Sequence, residues 1–143
     1  MAYLWDSNIL RHYINDHPLL LENLERISRD EVLVSIIVYA EQMRGRIEGL
    51  LKAEPNNLLL AQQRLLLTQG ALDRFRILYL DITAITLAKQ LKKQIKTRKR
   101  YADFLIAAQA LAGDYVLITR NTKDFQDLIP SKQLQNWIDE RIR

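Results

Sequence analysis

The chain has 143 residues, of which 48% are hydrophobic and 27% charged, and this composition predicts one compact domain across residues 1–143. The absence of cysteine excludes disulfides and thiolate metal sites, and no apolar run approaches the ~20 residues of a membrane span. The N-terminus lacks a basic segment followed by a long apolar stretch, so we expect a soluble cytoplasmic protein with no membrane partner.

The net charge of +4 is concentrated in one segment of the chain. Seven basic residues and no acid lie between Lys89 and Arg100, so the rest of the chain sums to 4 − 7 = −3. A basic block of this kind indicates either contact with a phosphate-rich partner or a solvated helix face, and charge alone does not decide between the two.

Five short apolar runs, rich in β-branched and aromatic residues, are predicted to be buried strands. They are residues 2–5, 31–34, 77–80, 115–119 and 134–138. Segments with helical periodicity lie between them, and the last of these is expected to stop at Gly113. The helical segments are residues 9–14, 18–28, 36–51, 58–74, 83–97 and 101–112. The alternation predicts an α/β fold in which a mostly parallel sheet of about five strands is covered on both faces, giving three α/β/α layers.

Two of the predicted helices carry residue patterns that bear on binding partners. The helix from Thr83 repeats its apolar residues at intervals of three and four, so its lysines should point outward. The helix from Leu58 contains two leucine triplets, 58–60 and 65–67, and each triplet sweeps about 200° of arc, wider than one core-facing stripe. We expect the surplus leucines to contact a second chain; the alternative is a fully buried central helix.

Acidic residues occur near the predicted carboxyl ends of the strands, where functional residues of parallel α/β sheets collect. These acids are Asp6, Glu41, Asp103 and Asp124. Each alone has an ordinary explanation, as a helix cap, an exposed helical acid or a turn residue. Together they would repel one another unless a cation neutralised them, and oxygen ligands without cysteine suit Mg²⁺ or Mn²⁺. Such an ion can activate water for attack on a phosphodiester.

Other chemistries find less support in the sequence. There is no glycine-rich loop of the kind that binds nucleotide phosphates. His12 and His17 have no further histidine or cysteine at metal-ligand spacing, which argues against a zinc site or a Ser-His-Asp triad. A receiver-like phosphoacceptor domain would need adjacent acids after the first strand, but Asp6 is followed by Ser7.

Four stretches of the sequence, taken in order, resemble the PIN-domain nucleases, and in particular the VapC-type toxins of bacterial toxin–antitoxin pairs. The stretches are DSNIL at 6–10, Ser35 followed by Glu41, ADFLIAA at 102–108 and LITRNTKDF at 117–125. The resemblance extends over essentially the whole chain and is most specific between residues 103 and 125.

The resemblance implies a metal-dependent endoribonuclease, with tRNA as the expected substrate class. Asp6, Glu41 and Asp103 would hold Mg²⁺ or Mn²⁺, and the hydroxyl of Ser7 would lie near the first acid. The supporting residues would be Ser7, Asn8, Thr119 and Asn121. It also implies a homodimer and a cognate VapB-type antitoxin that occupies the active-site groove, often with a basic side chain among the acids.

The sequence departs from the family pattern at two places. Many members carry a fourth acid at the position of Asn121, so that ligand would come from Asp124 or be absent. Residues 97–100 read Thr-Arg-Lys-Arg where relatives often have a glycine-containing turn, and the positive charge of this segment is expected to bind RNA phosphates. The predicted RNA-binding residues are Lys92, Lys96, Arg98, Lys99 and Arg100. The missing acid favours an alternative function, a PIN-fold nucleic-acid-binding regulatory protein with a weakened or inactive metal site.

Overall fold

The computed structural model describes residues 1–96 and 98–142, and the core of this part of the chain is a five-stranded sheet. Every neighbouring pair of strands in it is parallel. The strands are β1 (Tyr3–Trp5), β2 (Val32–Ser35), β3 (Arg76–Leu78), β4 (Val116–Ile118) and β5 (Leu134–Gln135). Their spatial order is β3-β2-β1-β4-β5, so the first strand of the chain lies at the centre of the sheet.

Helices connect the strands and cover the sheet. The α-helices are α1 (Ser7–Ile14), α2 (Pro18–Glu25), α3 (Ile36–Lys52), α4 (Leu58–Leu72), α5 (Ile82–Gln94), α6 (Tyr101–Gly113) and α7 (Thr122–Phe125). Short 3-10 turns span Arg29–Glu31, Pro55–Asn57 and Ser131–Gln133. Because crossovers between parallel strands are right-handed, the helices before β3 and those after it lie on opposite faces. The three-layer α/β/α architecture predicted from the sequence is confirmed.

The predicted strands are found with boundary differences, the largest at the end of the chain. The fifth strand stops at Gln135, and Trp137 and Ile138 lie buried in the turn that follows. Their hydrophobicity therefore reflects burial in a turn and not a longer strand. The second predicted helix stops at Glu25, and the four-residue helix α7 is too short for its periodicity to be visible in the sequence. None of the described helices combines the length and apolar character needed to cross a bilayer.

Aromatic packing fixes the central strand. Trp5 is fully buried, and its ring centroid lies 4.8 Å from that of Phe75 and 6.4 Å from that of Trp137. Burial of a large side chain of this kind stabilises the fold by roughly 1.5–3 kcal/mol, so the strand that leads into Asp6 is firmly held.

Polar side chains start the helices that follow the strands. Asp6 caps α1 by accepting a hydrogen bond from the backbone N–H of Ser7, and Ser35 caps α3 through the N–H of Ile37.

Helix α6 ends at a residue with left-handed backbone. Gly113 is still helical, and Asp114 takes the left-handed conformation with φ 53°. The helix predicted over residues 101–112 therefore runs one residue further, and the left-handed position expected at Gly113 falls on Asp114.

The helix predicted from Thr83 begins one residue earlier and ends at Gln94, and its predicted end at Thr97 lies outside the described residues. As expected, it buries Ala84, Ala88 and Leu91, and its lysines are exposed.

The leucine triplets of α4 are mostly exposed to solvent. Leu59 is 81% exposed, Leu66 57% and Leu67 54%. The alternative of a fully buried central helix is therefore wrong, and an outward apolar face remains.

Candidate active site

A pocket of about 390 Å³ opens at the carboxyl end of the central strands, where β1 and β4 lead into α1 and α7. Its lining comprises Asp6, Ser7, Asn8, Arg11, Arg98, Lys99, Arg100, Asp103, Asn121, Asp124 and Phe125. The parallel sheet brings these residues together because the carboxyl ends of its strands share one edge. Three of the four acids predicted from the sequence line this one pocket, and Glu41 is linked to it by two side-chain contacts.

Asp6 is the most enclosed of the acids, with hydrogen bonds to both carboxylate oxygens. Its Oδ1 accepts from the backbone N–H of Ser7 at 2.8 Å. Its Oδ2 accepts from the hydroxyl of Thr119 at 2.9 Å and from the amide of Asn8 at 3.3 Å. Asp6, Asn8 and Thr119 are all buried, so the carboxylate is fixed in one orientation by groups that water does not reach.

The same polar groups tie the loop after β4 to helix α1. The Thr119 hydroxyl oxygen also accepts from the Asn8 amide at 3.3 Å and from the backbone N–H of Asn121 at 3.0 Å. The carbonyl oxygen of the Asn8 side chain accepts from the N–H of Arg120 at 3.0 Å. The supporting roles predicted for Asn8 and Thr119 therefore correspond to direct contacts, whereas Asn121 contributes its backbone and exposes its side chain.

Glu41 reaches the site from helix α3. Its Oε1 accepts from the hydroxyl of Ser7 at 3.3 Å, and its Oε2 lies 3.4 Å from Nη1 of Arg100. The buried amide of Gln109 on α6 accepts a hydrogen bond from Ser35, the residue that caps α3, and donates to the carbonyl of Leu78 at 3.1 Å. This link fixes the helix that carries Glu41 against the helix that carries Asp103.

Asp103 lies in the first turn of α6, where the helix dipole favours a negative charge. Its side chain is 11% exposed, and Oδ1 lies 3.3 Å from Nη2 of Arg100. Arg100 thus bridges Glu41 and Asp103 through its two terminal nitrogens.

The electrostatics of the pocket reflect crowded negative charge. Burial raises the pKa of Asp6 above its ordinary value, and the neighbouring Asp103 carboxylate raises it further, against the opposing effect of its hydrogen bonds and of Arg100. Burial alone would lower the pKa of Arg100, but the carboxylates of Asp103, Glu41 and Asp6 more than offset this and raise it. The arginine is therefore held firmly in its charged form.

Asp124 is the least enclosed acid of the pocket and lies on the short helix α7. Lys99 anchors this helix: its ammonium donates to the carbonyl oxygen of Asp124 at 2.9 Å and pairs with Asp127 at 3.0 Å. The Lys99 side chain is only 14% exposed, and its ammonium group already contacts α7 and Asp127.

The other predicted RNA-binding residues are exposed and differ in position. Arg98 and Arg100 line the pocket, whereas Lys92 and Lys96 lie outside its lining. The ammonium of Lys92 lies 5.1 Å from the ring centroid of Tyr101, and Lys96 follows the end of α5. Together, Lys92, Lys96, Arg98 and Arg100 form an exposed basic margin in the segment that leads into α6.

Two lining residues were missed by the sequence reasoning. Arg11 lies one helical turn after Ser7, and this i, i+4 spacing could have placed it on the same face as the Asp6 motif. Phe125 ends α7 and is buried, and its role as a wall of the pocket depends on a helix that the sequence pattern did not reveal.

The donor chemistry of the pocket fits Mg²⁺ or Mn²⁺, since its acids are all carboxylates and those of Asp6 and Asp103 are buried. Within residues 1–96 and 98–142, however, no three Asp, Glu, His or Cys side chains stand close enough to hold a metal ion together. Arg100 already supplies a positive charge between Glu41 and Asp103. A divalent cation bound to both of these carboxylates would therefore compete with the Arg100 guanidinium for them.

Residues 3–128 match the model of the PIN domain family. Among known proteins, Ribonuclease VapC2 of Rickettsia felis is 31% identical over 146 residues, and the alignment covers 96% of this chain and 98% of the relative.

Two solved structures are similar over nearly the full length. VapBC2 from Rickettsia felis, bound to a DNA fragment from its promoter, gives a TM-score of 0.74 at 27% identity and covers 96% of this chain and 99% of that chain. A toxin–antitoxin complex from Klebsiella pneumoniae gives a TM-score of 0.70 at 25% identity, with 99% and 100% coverage.

Proposed function

Because the chain belongs to the PIN domain family, we propose that it is the endoribonuclease toxin of a type II toxin–antitoxin pair, a single-domain hydrolase that cuts phosphodiester bonds in cytoplasmic RNA. The proposed substrate class is tRNA, whose unstacked loops present bases and backbone to a shallow groove. The observation that carries the proposal is the buried Asp6, fixed by three hydrogen bonds beside Glu41 and Asp103. The similarity to Ribonuclease VapC2 supports RNA as the substrate.

The proposed cofactor is Mg²⁺ or Mn²⁺, held by Asp6, Glu41 and Asp103, with Asp124 as the fourth acid. When bound, such an ion activates water and stabilises the charge that develops on the phosphodiester. Thr119 and Asn8 would keep the Asp6 carboxylate in one orientation, and Ser7 would do the same for Glu41. Asp124 is the weakest member of this set because its side chain is exposed.

The chain's own cations would bind the RNA backbone on either side of the cut. Arg11 and Arg98 line the pocket, and the exposed Lys92 and Lys96 add positive charge in the segment that leads into α6. Arginine suits phosphate because its planar guanidinium donates two parallel hydrogen bonds. Lys99 would act mainly by holding α7 in place.

The proposed partners are a VapB-type antitoxin and a second copy of this chain. The similarity to VapBC2 and to a toxin–antitoxin complex supports the antitoxin. The exposed leucines of α4 support the homodimer, since a contiguous apolar face of this kind marks an interaction surface.

A second candidate function is a nucleic-acid-binding regulatory protein with an inactive metal site. Asn121 replaces the fourth acid of many family members, and the described carboxylates are not arranged as a metal cluster. The structure of VapBC2 bound to a promoter fragment supports DNA as the ligand in that case.

Cleavage of purified tRNA tests the first proposal against the second. The isolated protein would be incubated with Mg²⁺ or Mn²⁺, with a chelator as the control, and Asp6→Asn would be assayed in parallel. We expect discrete fragments that require the metal and are absent with the variant. Folded protein that yields no fragments with either metal, yet shifts the promoter DNA of its own operon, would favour the regulatory function.

A further inference from the structure

Arg100 makes contacts that connect two acids from different helices. Nη1 lies 3.4 Å from Oε2 of Glu41 on α3, and Nη2 lies 3.3 Å from Oδ1 of Asp103 on α6. The side chain of Arg100 is nevertheless 61% exposed, and charge-assisted hydrogen bonds are usually closer to ~2.7–2.9 Å. The guanidinium is therefore loosely held and can leave towards solvent without disturbing the core.

The position of Arg100 is poorly explained by the stability of α6. It is the N-cap residue of that helix, yet its side chain makes no capping hydrogen bond. Ser, Thr, Asp and Asn are preferred there, and a positive charge opposes the helix dipole at this end. The contacts with Glu41 and Asp103 are the compensating interactions that the structure provides.

The backbone keeps Arg100 and Asp103 in register. The N–H of Asp103 donates to the carbonyl of Arg100 at 3.1 Å, so the two residues face the pocket from the same turn. Any ion that binds Asp103 and Glu41 together must therefore compete with a guanidinium that is attached three residues away.

We propose that Arg100 is a built-in counter-ion of the acidic site, which neutralises Glu41 and Asp103 in the metal-free protein and is displaced when a divalent cation binds. This inference rests on the proposed metal-dependent function. The displaced guanidinium remains at the pocket beside Arg98, where it is available to an RNA phosphate that approaches the ion. Arg100 thus lowers the affinity of the site for metal and is released for substrate when metal is present.

Calorimetric titration of Mn²⁺ into metal-free protein tests this directly. Arg100→Gln should bind Mn²⁺ about tenfold more tightly than the unchanged protein, because two partly exposed ion pairs no longer compete. Arg100→Lys keeps the charge and should restore affinity towards the original value. Arg98→Gln is the matched control: within the described residues Arg98 lines the same pocket but pairs with neither acid, so its affinity should change less than about twofold.

Thermal unfolding supplies a second readout that does not depend on activity. In chelator, Arg100→Gln should melt at a lower temperature than the unchanged protein because the acids lose their counter-ion, and Mn²⁺ should raise its melting temperature by more. Equal Mn²⁺ affinities for the unchanged protein and Arg100→Gln would overturn the counter-ion role while leaving the metal site intact. Failure of both proteins to bind Mn²⁺ would overturn the metal-dependent function and this inference with it.

Discussion

Asp6 differs from the other described acids of the site because its carboxylate accepts three hydrogen bonds from neutral groups of the protein. Its pKa is raised above the ordinary value, first by burial and then by the charge of Asp103. A raised carboxyl pKa means that the folded state holds its proton to higher pH than the unfolded state does. The ionised form of Asp6, which the proposed metal binding needs, therefore lowers the stability of the fold.

The pH dependence of stability should reveal this opposition. In chelator, the contribution of Asp6 to the free energy of unfolding should fall as pH rises from the ordinary value of 3.8 through the raised pKa, by at most about 1.4 kcal/mol per pH unit. Asp6→Asn should lack this decline. Urea unfolding of both proteins from about pH 4 to about pH 8 measures the difference. Parallel curves for the two proteins would contradict the assignment.

Thr119 should matter to the site beyond its contribution to stability. Thr119→Val removes the hydroxyl that donates to Asp6 and accepts from Asn121, which should lower the free energy of unfolding by about 1–3 kcal/mol and weaken Mn²⁺ binding. Thr68→Val is the matched control, since Thr68 is equally buried but accepts from Arg46 where α4 packs on α3, outside the lining of the acidic pocket. It should lower stability and leave Mn²⁺ affinity unchanged.

At the scale of elements, the sequence predicted long buried segments well and short or irregular ones poorly. The strands were predictable because runs of β-branched and aromatic residues lie under helices on both sides. Helix α7 has only four residues, too few for a periodic pattern, and so Phe125 was not expected in the pocket. The bridge made by Arg100 depends on how α3 and α6 pack, which no local pattern records.

The end of α6 offers a test of local backbone strain. Asp114 has φ 53°, a conformation that glycine adopts freely, and its negative charge lies at the carboxyl end of the helix dipole. Asp114→Gly should raise the free energy of unfolding by about 0.5 kcal/mol, whereas Asp114→Ala should lower it by about 1 kcal/mol. Urea unfolding measures both, and an Asp114→Ala variant at least as stable as Asp114→Gly would contradict the argument from backbone strain.

The basic margin before α6 should set the salt dependence of RNA binding. Replacing both Lys96 and Arg98 with Gln would remove two of the proposed phosphate contacts, so the slope of log affinity against log salt should become shallower by about 1.4 for single-stranded RNA. Filter binding across a series of salt concentrations, with Asp6→Asn as the background to prevent cleavage, gives this slope. An unchanged slope would show that these residues form a solvated face and do not contact RNA phosphates.

At the scale of the whole molecule, the outward leucines of α4 are the feature that the sequence left open. The pattern showed that more leucines were present than one stripe could bury, but only the packing of α3 against α4 shows that they remain outside. Soluble proteins rarely leave a contiguous apolar patch in contact with water, so we expect a partner to cover these leucines.

Sedimentation at several concentrations tests the proposed homodimer. Leu59→Glu combined with Leu66→Glu should shift the protein from dimer to monomer without unfolding it, because both side chains are already exposed. Ile82→Glu is the control, since Ile82 is 79% exposed at the start of α5. If the unchanged protein is already a monomer, the homodimer proposal is wrong, and the antitoxin becomes the expected partner of the leucine face.

The central place of β1 has a consequence for the protein during its synthesis. Asp6 accepts from Thr119 across 113 residues of sequence, and β1 pairs with β4 only after residues 116–118 exist. A nascent chain on the ribosome that has not yet reached Thr119 therefore lacks the group that orients its first acid. The site cannot form gradually during translation, and a truncated product that ends before β4 should be unable to assemble it.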